Sequence, residues 1–196
     1  MTNESCIIYA LCICAYHRAM IPNYHILIVH FPTALLSLYA LMELVPFRRI
    51  TTKSYWFHIK ATFVILGTLS AYLAIIFGGF IEGAIGMAKP EMQQAIEVHS
   101  NFAAFTTTIF SILAGAYLVA WIESEYVELA ANPSFVGRFF GVLLMLKKFI
   151  LSRWVSLLLA LLGLFGIIVT GALGGAIVNS PDVDPIVNIL YHLFVR

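Results

Sequence analysis

Six histidines are spread over 196 residues, and three of them stand where a chain of this kind has least use for an imidazole. His25 and His30 are five residues apart in HILIVHFPTALL, at the head of the first long apolar stretch; His99 heads another, in VHSNFAAF. A neutral imidazole can ligate iron, zinc or copper, and it can pass a proton near neutral pH. Two carboxylates accompany the histidines: Glu82 follows the pair Gly78–Gly79, and Glu97 precedes His99 by two residues. A second glycine pair, Gly174–Gly175, closes the last apolar stretch. These residue types allow axial ligation of a haem iron, a non-haem metal or proton site built from His25, His30, Glu82 and His99, or plain helix-packing hydrogen bonds. Which of these applies depends on the elements that carry them.

Those elements are membrane spans. Hydrophobic residues make up 61% of the chain and charged residues only 11%, against about half and a quarter in soluble domains. A net charge of +1 gives no electrostatic footprint for nucleic acid. Crossing the hydrocarbon core takes about 20 apolar residues, and four stretches meet that length, at 23–47, 59–81, 97–122 and 154–178. Lipid satisfies no backbone groups and barrel-type alternation is missing, so the spans are expected to be helices. The fold class is therefore an all-α integral membrane protein, a four-transmembrane-helix bundle over 21–185 with a C-terminal tail, 186–196. The apolar segment 135–148 is too short to span and reads as an interfacial helix or a lead-in to the fourth span. NSPDVDP, 179–185, reads as a turn.

Residues 1–20 are apolar in part but hold no basic n-region or cleavage site. Met20 lies just before the first span, and translation is expected to begin there, leaving 1–19 as an over-extended start. Cys6, Cys12 and Cys14 form neither CxxC nor CxxCH, so thioredoxin-like chemistry and covalent haem attachment lack support.

Basic residues set the orientation. Arg48, Arg49, Lys53, Lys60, Arg138, Lys147, Lys148 and Arg153 flank the first and third connections, against Arg18, Lys89 and Arg196 on the other side. Loops 48–60 and 123–153 are thus expected in the cytoplasm and both termini outside, in a bacterial inner membrane.

Under that topology His25, in the first turn after a candidate N-cap at Asn23, lies at the outer headgroups, and His30 about 7.5 Å deeper at 1.5 Å per residue. His30 and His99 are then expected to meet at one depth, with His25 an interfacial gatekeeper. Pro32 leaves the Ile28 carbonyl without its helical donor. Gly78, Gly79, Gly174 and Gly175 reach the same level and either bring backbones close or leave room for a flat ligand. His58 falls at the inner end of the second span, and His192 at an exposed boundary.

The residues also resemble a family. HILIVHFPTALL is similar to the HPxxVHFPxALL opening of bacterial predicted membrane proteins known as domain of unknown function twenty-two thirty-one. GGFIE resembles the small-residue segment and acidic residue that end the family's second span, VHSNFAAF its histidine-led third helix, and VTGALGGAIV its SGWLGGELVY. The resemblance covers about 21–185 in order and implies a four-helix membrane domain. Ile26 stands where the family has proline, Ala176 where it has glutamate, and NSPDVDP replaces a histidine–glycine stretch.

The family confers no activity. The helix count and the histidines on separate helices resemble small cytochrome b modules, which implies a b-type haem between His30 and His99. Glu97 or a freed carbonyl would orient an imidazole, and Lys89 or Arg18 would meet the propionates. The expected role is one-electron transfer near the outer face, to a redox protein or quinone. The alternatives are the non-haem metal or proton site above, and a structural accessory subunit docking onto a larger membrane complex through 135–148. With no nucleophile elbow, P-loop, Rossmann pattern or HExxH, the chain is not expected to be an enzyme on its own.

Overall fold

The computed structural model describes residues 25–44, 54–88, 90–125 and 135–195. Met20, Asn23, the three cysteines, Arg18, Lys89 and the basic run Arg48–Lys53 lie outside the described residues, as does the side chain of Glu82. Among the described residues there are helices and no strands.

Among the described residues six α-helices follow one another: α1 (His25–Leu44), α2 (Ser54–Ala88), α3 (Gln93–Glu125), α4 (Phe135–Ile150), α5 (Arg153–Val178) and α6 (Pro185–Phe194). Single 3-10 turns, Pro90–Met92 and Pro181–Val183, introduce α3 and α6. Four of them, α1, α2, α3 and α5, are long and apolar enough to cross a membrane. At 1.5 Å per residue, the 35 residues of α2 measure about 52 Å and the 33 of α3 about 50 Å. Both exceed the roughly 30 Å hydrocarbon core, so these two helices extend beyond the spans expected at 59–81 and 97–122.

The polar residues within the spans are largely quenched locally. Thr33, Thr68, Thr106, Thr108 and Ser111 each donate a hydroxyl to the carbonyl four residues back, at 2.7–2.8 Å, which removes the cost of carrying an unpaired hydroxyl into lipid. Ser111 in turn accepts from Tyr72 at 2.8 Å, tying α2 to α3. Large apolar side chains such as Leu66, Leu73, Phe80, Phe105, Leu158 and Ile168 point outward, as expected where the solvent is hydrocarbon.

The interior has two parts. Around mid-bundle, Leu36, Tyr39, Val64, Phe110 and Leu113 are fully buried in one cluster. Two glycines make this packing possible. A Cβ on Gly67 would lie 2.6 Å from Leu36 Cδ2, and one on Gly163 would lie 2.6 Å from Phe110 Cζ. The second cluster joins Ala95 and Ile96 of α3 to Val169, Leu173 and Ile177 of α5, capped by Val195.

The segment expected as a tail, 186–196, is instead mostly helix. Asp184 caps α6, accepting from Ile186 N–H at 2.7 Å and Val187 N–H at 3.4 Å, and Pro185 takes the first helical position. An N-cap aspartate followed by proline is a helix start legible in the sequence. The helix folds back onto the bundle through Phe194 against Phe102 (ring centroids 4.9 Å) and Tyr191 O–H on Met92 Sδ (3.8 Å). Helix α4 matches the short helix expected before the fourth span; its Val142, Met145, Leu146 and Phe149 are exposed, while Lys147 ion-pairs with Glu123 of α3.

Candidate functional site

Because neighbouring spans run antiparallel, the start of α1, the end of α2, the start of α3 and the end of α5 come to one end of the bundle. A pocket of about 740 Å³ opens there, between all four spans. His25, His30, Gly78, Gly79, His99, Gly174 and Gly175 all line it. Leu36, Ala71 and Thr107 also belong to its walls, and Leu36 lies about three turns from His25 along α1. The volume falls within the roughly 300–1,000 Å³ of small-molecule and cofactor sites, and the lining is mostly apolar with a few convergent polar groups.

Two of the three lining histidines, His25 and His99, are held in the same way. A Cβ on Gly78 would sit 3.1 Å from His25 Cε1, and a Cβ on Gly174 would sit 3.2 Å from His99 Cε1. Each imidazole therefore packs, Cε1 foremost, on bare helix backbone that only glycine offers so closely. His99 Nδ1 is 2.9 Å from the Thr170 carbonyl on α5. A carbonyl can only accept, so Nδ1 carries the proton and Nε2 keeps its lone pair, the tautomer in which a histidine ligates a metal. The orienting group is this carbonyl and not Glu97, which is exposed. His25 lies beside the corresponding region of α2, near the Ala74 carbonyl, yet its buried Nδ1 makes no hydrogen bond. The His25 and His99 rings are within electrostatic range of each other.

His30 is arranged differently. It lines the pocket but is exposed, and its Nδ1 donates to the Ile26 carbonyl of its own helix at 2.5 Å. The glycine seats thus mark out His25 and His99, and among the described residues His30 has none. In the structure α3 begins at Gln93, so His99 stands six residues, about 9 Å, inside its helix.

One further feature suits a guest. Gly79, Gly171 and Gly175 line the pocket, and a Cβ at any of them would meet no protein atom within 4 Å. No packing contact requires these glycines, so the space they keep is space in the pocket itself. Among the described residues no three of His, Cys, Asp and Glu gather into a group that could hold a metal ion. A haem asks for less, because the macrocycle supplies the in-plane donors and the protein only the axial ones.

The opposite end holds a polar cluster that the sequence reading did not single out. Glu43 of α1 accepts from Lys60 of α2 at 2.8 Å and from the Tyr117 hydroxyl of α3 at 2.9 Å, with the carboxylate side chain 8% exposed and the ammonium side chain 16%. Lys60 also lies 5.6 Å from the Tyr117 ring centroid. His58 stacks edge-on against Phe57 and Trp121 at the same end, remote from the pocket. The signal for this cluster was an acid near the end of one span and a lysine at the start of the next.

No protein-family model, no curated protein and no solved structure matches this chain.

Proposed function

We propose that this membrane protein binds a b-type haem between a histidine of α1 and His99 of α3, and that it passes single electrons at the pocket end of the bundle. The observation that carries this reading is the pocket itself: two imidazoles on different helices, each seated on a glycine, at the wall of an apolar cavity of about 740 Å³. His99 is in the ligating tautomer, and the three unfilled glycine positions leave wall space for a planar macrocycle. When bound, the haem would supply the one-electron couple. The chain would supply the ligating imidazoles, a dry wall and the Thr170 carbonyl that holds the His99 ring.

The excess of Lys and Arg in the connections at the opposite end supports a pocket facing outward across a bacterial inner membrane. The electron partner there would be a redox protein or a membrane quinone, because one site at one end cannot carry charge across the bilayer unaided. The VHFP opening and the order of small-residue helix ends support membership in the family of domain of unknown function twenty-two thirty-one. The test is a pyridine haemochromogen assay on protein expressed with ample haem and purified in detergent. Stoichiometric haem per chain is expected; folded protein with only trace haem would refute the reading.

A further inference from the structure

The bundle repeats itself. Laying α1 on α3 with His25 on His99 also aligns Phe31 with Phe105, Thr33 with Thr107, Ser37 with Ser111, Ala40 with Ala114 and Leu44 with Leu118. Laying α2 on α5 with Gly78 on Gly174 aligns Gly67 with Gly163, Gly79 with Gly175 and Ile81 with Ile177.

The contacts repeat with the letters. In the first hairpin His25 rests on Gly78 and Leu36 on Gly67; in the second, His99 rests on Gly174 and Phe110 on Gly163. Eleven residues separate the two members of each pair on all four helices, three turns to within about 20°, so each helix uses one face for both contacts. The carbonyl beside each imidazole is that of the residue four before the glycine, Ala74 or Thr170. The second hairpin has the longer connection, and α4 lies in it.

We propose that the pocket is built from two copies of one half-site, a histidine seated on a glycine of the antiparallel neighbour, and that the α1 ligand of the tetrapyrrole iron is accordingly His25 rather than His30. The proposal rests on the haem reading above for the identity of the ligand, but the half-site pairing stands on the packing alone. His30 aligns with Ala104, so it has no counterpart in the second copy, and among the described residues no glycine of α2 seats it as Gly78 seats His25. The copies also differ in how the imidazole is held: His99 Nδ1 bonds the Thr170 carbonyl at 2.9 Å, whereas His25 Nδ1, though near the Ala74 carbonyl, falls short of a hydrogen bond. His99 is the anchored ligand, and His25 the one that exchanges more readily.

The experiment compares His25→Ala, His30→Ala and His99→Ala by electron paramagnetic resonance and resonance Raman of the ferric protein. His30→Ala is expected to keep the six-coordinate low-spin signature. His25→Ala is expected to turn five-coordinate and high-spin, with added imidazole restoring the low-spin form, and His99→Ala to retain the least haem. Conversion to high spin by His30→Ala, with His25→Ala still low-spin, would overturn the assignment while leaving the haem reading intact. If the parent protein holds no haem, the haem reading fails and the pairing is read separately. In a cysteine-free background, the His25→Cys/His99→Cys pair is expected to be bridged by a shorter thiol-reactive linker than the His30→Cys/His99→Cys pair. The reverse order would overturn the half-site proposal.

Discussion

The two ends of the bundle handle polar groups in opposite ways. At one end Glu43, Lys60 and Tyr117 bind one another directly, over a mid-bundle core in which Tyr39, Val64, Phe110 and Leu113 are fully buried. At the other, two imidazoles face a pocket, and three glycines hold open space that no side chain fills. Unpaired atoms alone do not separate the ends, since the Tyr39 hydroxyl and Trp56 Nε1 also lack partners. Space does. One end is closed by the protein's own charges and rings, while the other keeps an open pocket.

The largest effect expected from breaking this contrast lies at the closed end. Glu43→Gln leaves the Lys60 ammonium in a poorly solvated site without its counter-charge and should destabilise the bundle by about 3–5 kcal/mol, whereas the triple replacement Glu43→Leu/Lys60→Met/Tyr117→Phe, which also removes the hydroxyl that Glu43 accepts from, should cost little or nothing. Equilibrium unfolding in detergent–denaturant mixtures measures both; equal losses would show that charge pairing is not what closes this end.

Next come the mid-bundle glycines. Gly163→Val pushes a side chain into the Phe110 ring, and Gly67→Val into Leu36; overpacking of this kind costs about 1–3 kcal/mol. The matching positions should respond alike in the same unfolding assay, and a tolerant Gly67 beside an intolerant Gly163 would weaken the equivalence of the hairpins.

The pocket glycines should behave in the opposite sense. Gly79→Ala, Gly171→Ala and Gly175→Ala meet no protein atom, so the haem-free form should gain up to about 1 kcal/mol each from helix propensity. Haem retention should fall as the wall fills, the usual exchange between stability and function. A gain in stability with haem retention unchanged would mean that the space serves no guest. The smallest effect is expected at the rim of the closed end, where Lys147→Ala removes the pair with the exposed Glu123 and should change stability by less than about 1 kcal/mol.

Much of this arrangement is legible in the sequence, for reasons that are local. Apolar length locates the four spans, because the bilayer imposes a length on every crossing helix. Alternating direction then brings His25, Gly78, His99 and Gly174 to one end without any knowledge of packing. What escapes the sequence is what depends on helix level. Which histidine of α1 matches His99 turns on how far α3 projects beyond the span at 97–122, and hydropathy does not report that. The Glu43–Lys60 pair escapes because each residue, read singly, is a boundary charge; only the packing of α1 on α2 makes them partners. Helix α6 was within reach through Asp184 and Pro185, but its apolar run is too short to register as a span. The internal repeat is carried by a handful of scattered identities, and it becomes visible once Gly67 and Gly163 are seen to receive equivalent side chains.

A haem held between imidazoles of α1 and α3, as proposed, would show itself first in the oxidised and dithionite-reduced visible spectra of the detergent-purified protein. A Soret band that sharpens and shifts on reduction, with resolved α and β bands, is the result expected of a low-spin bis-imidazole haem. A featureless visible spectrum from folded protein expressed with ample haem would contradict it.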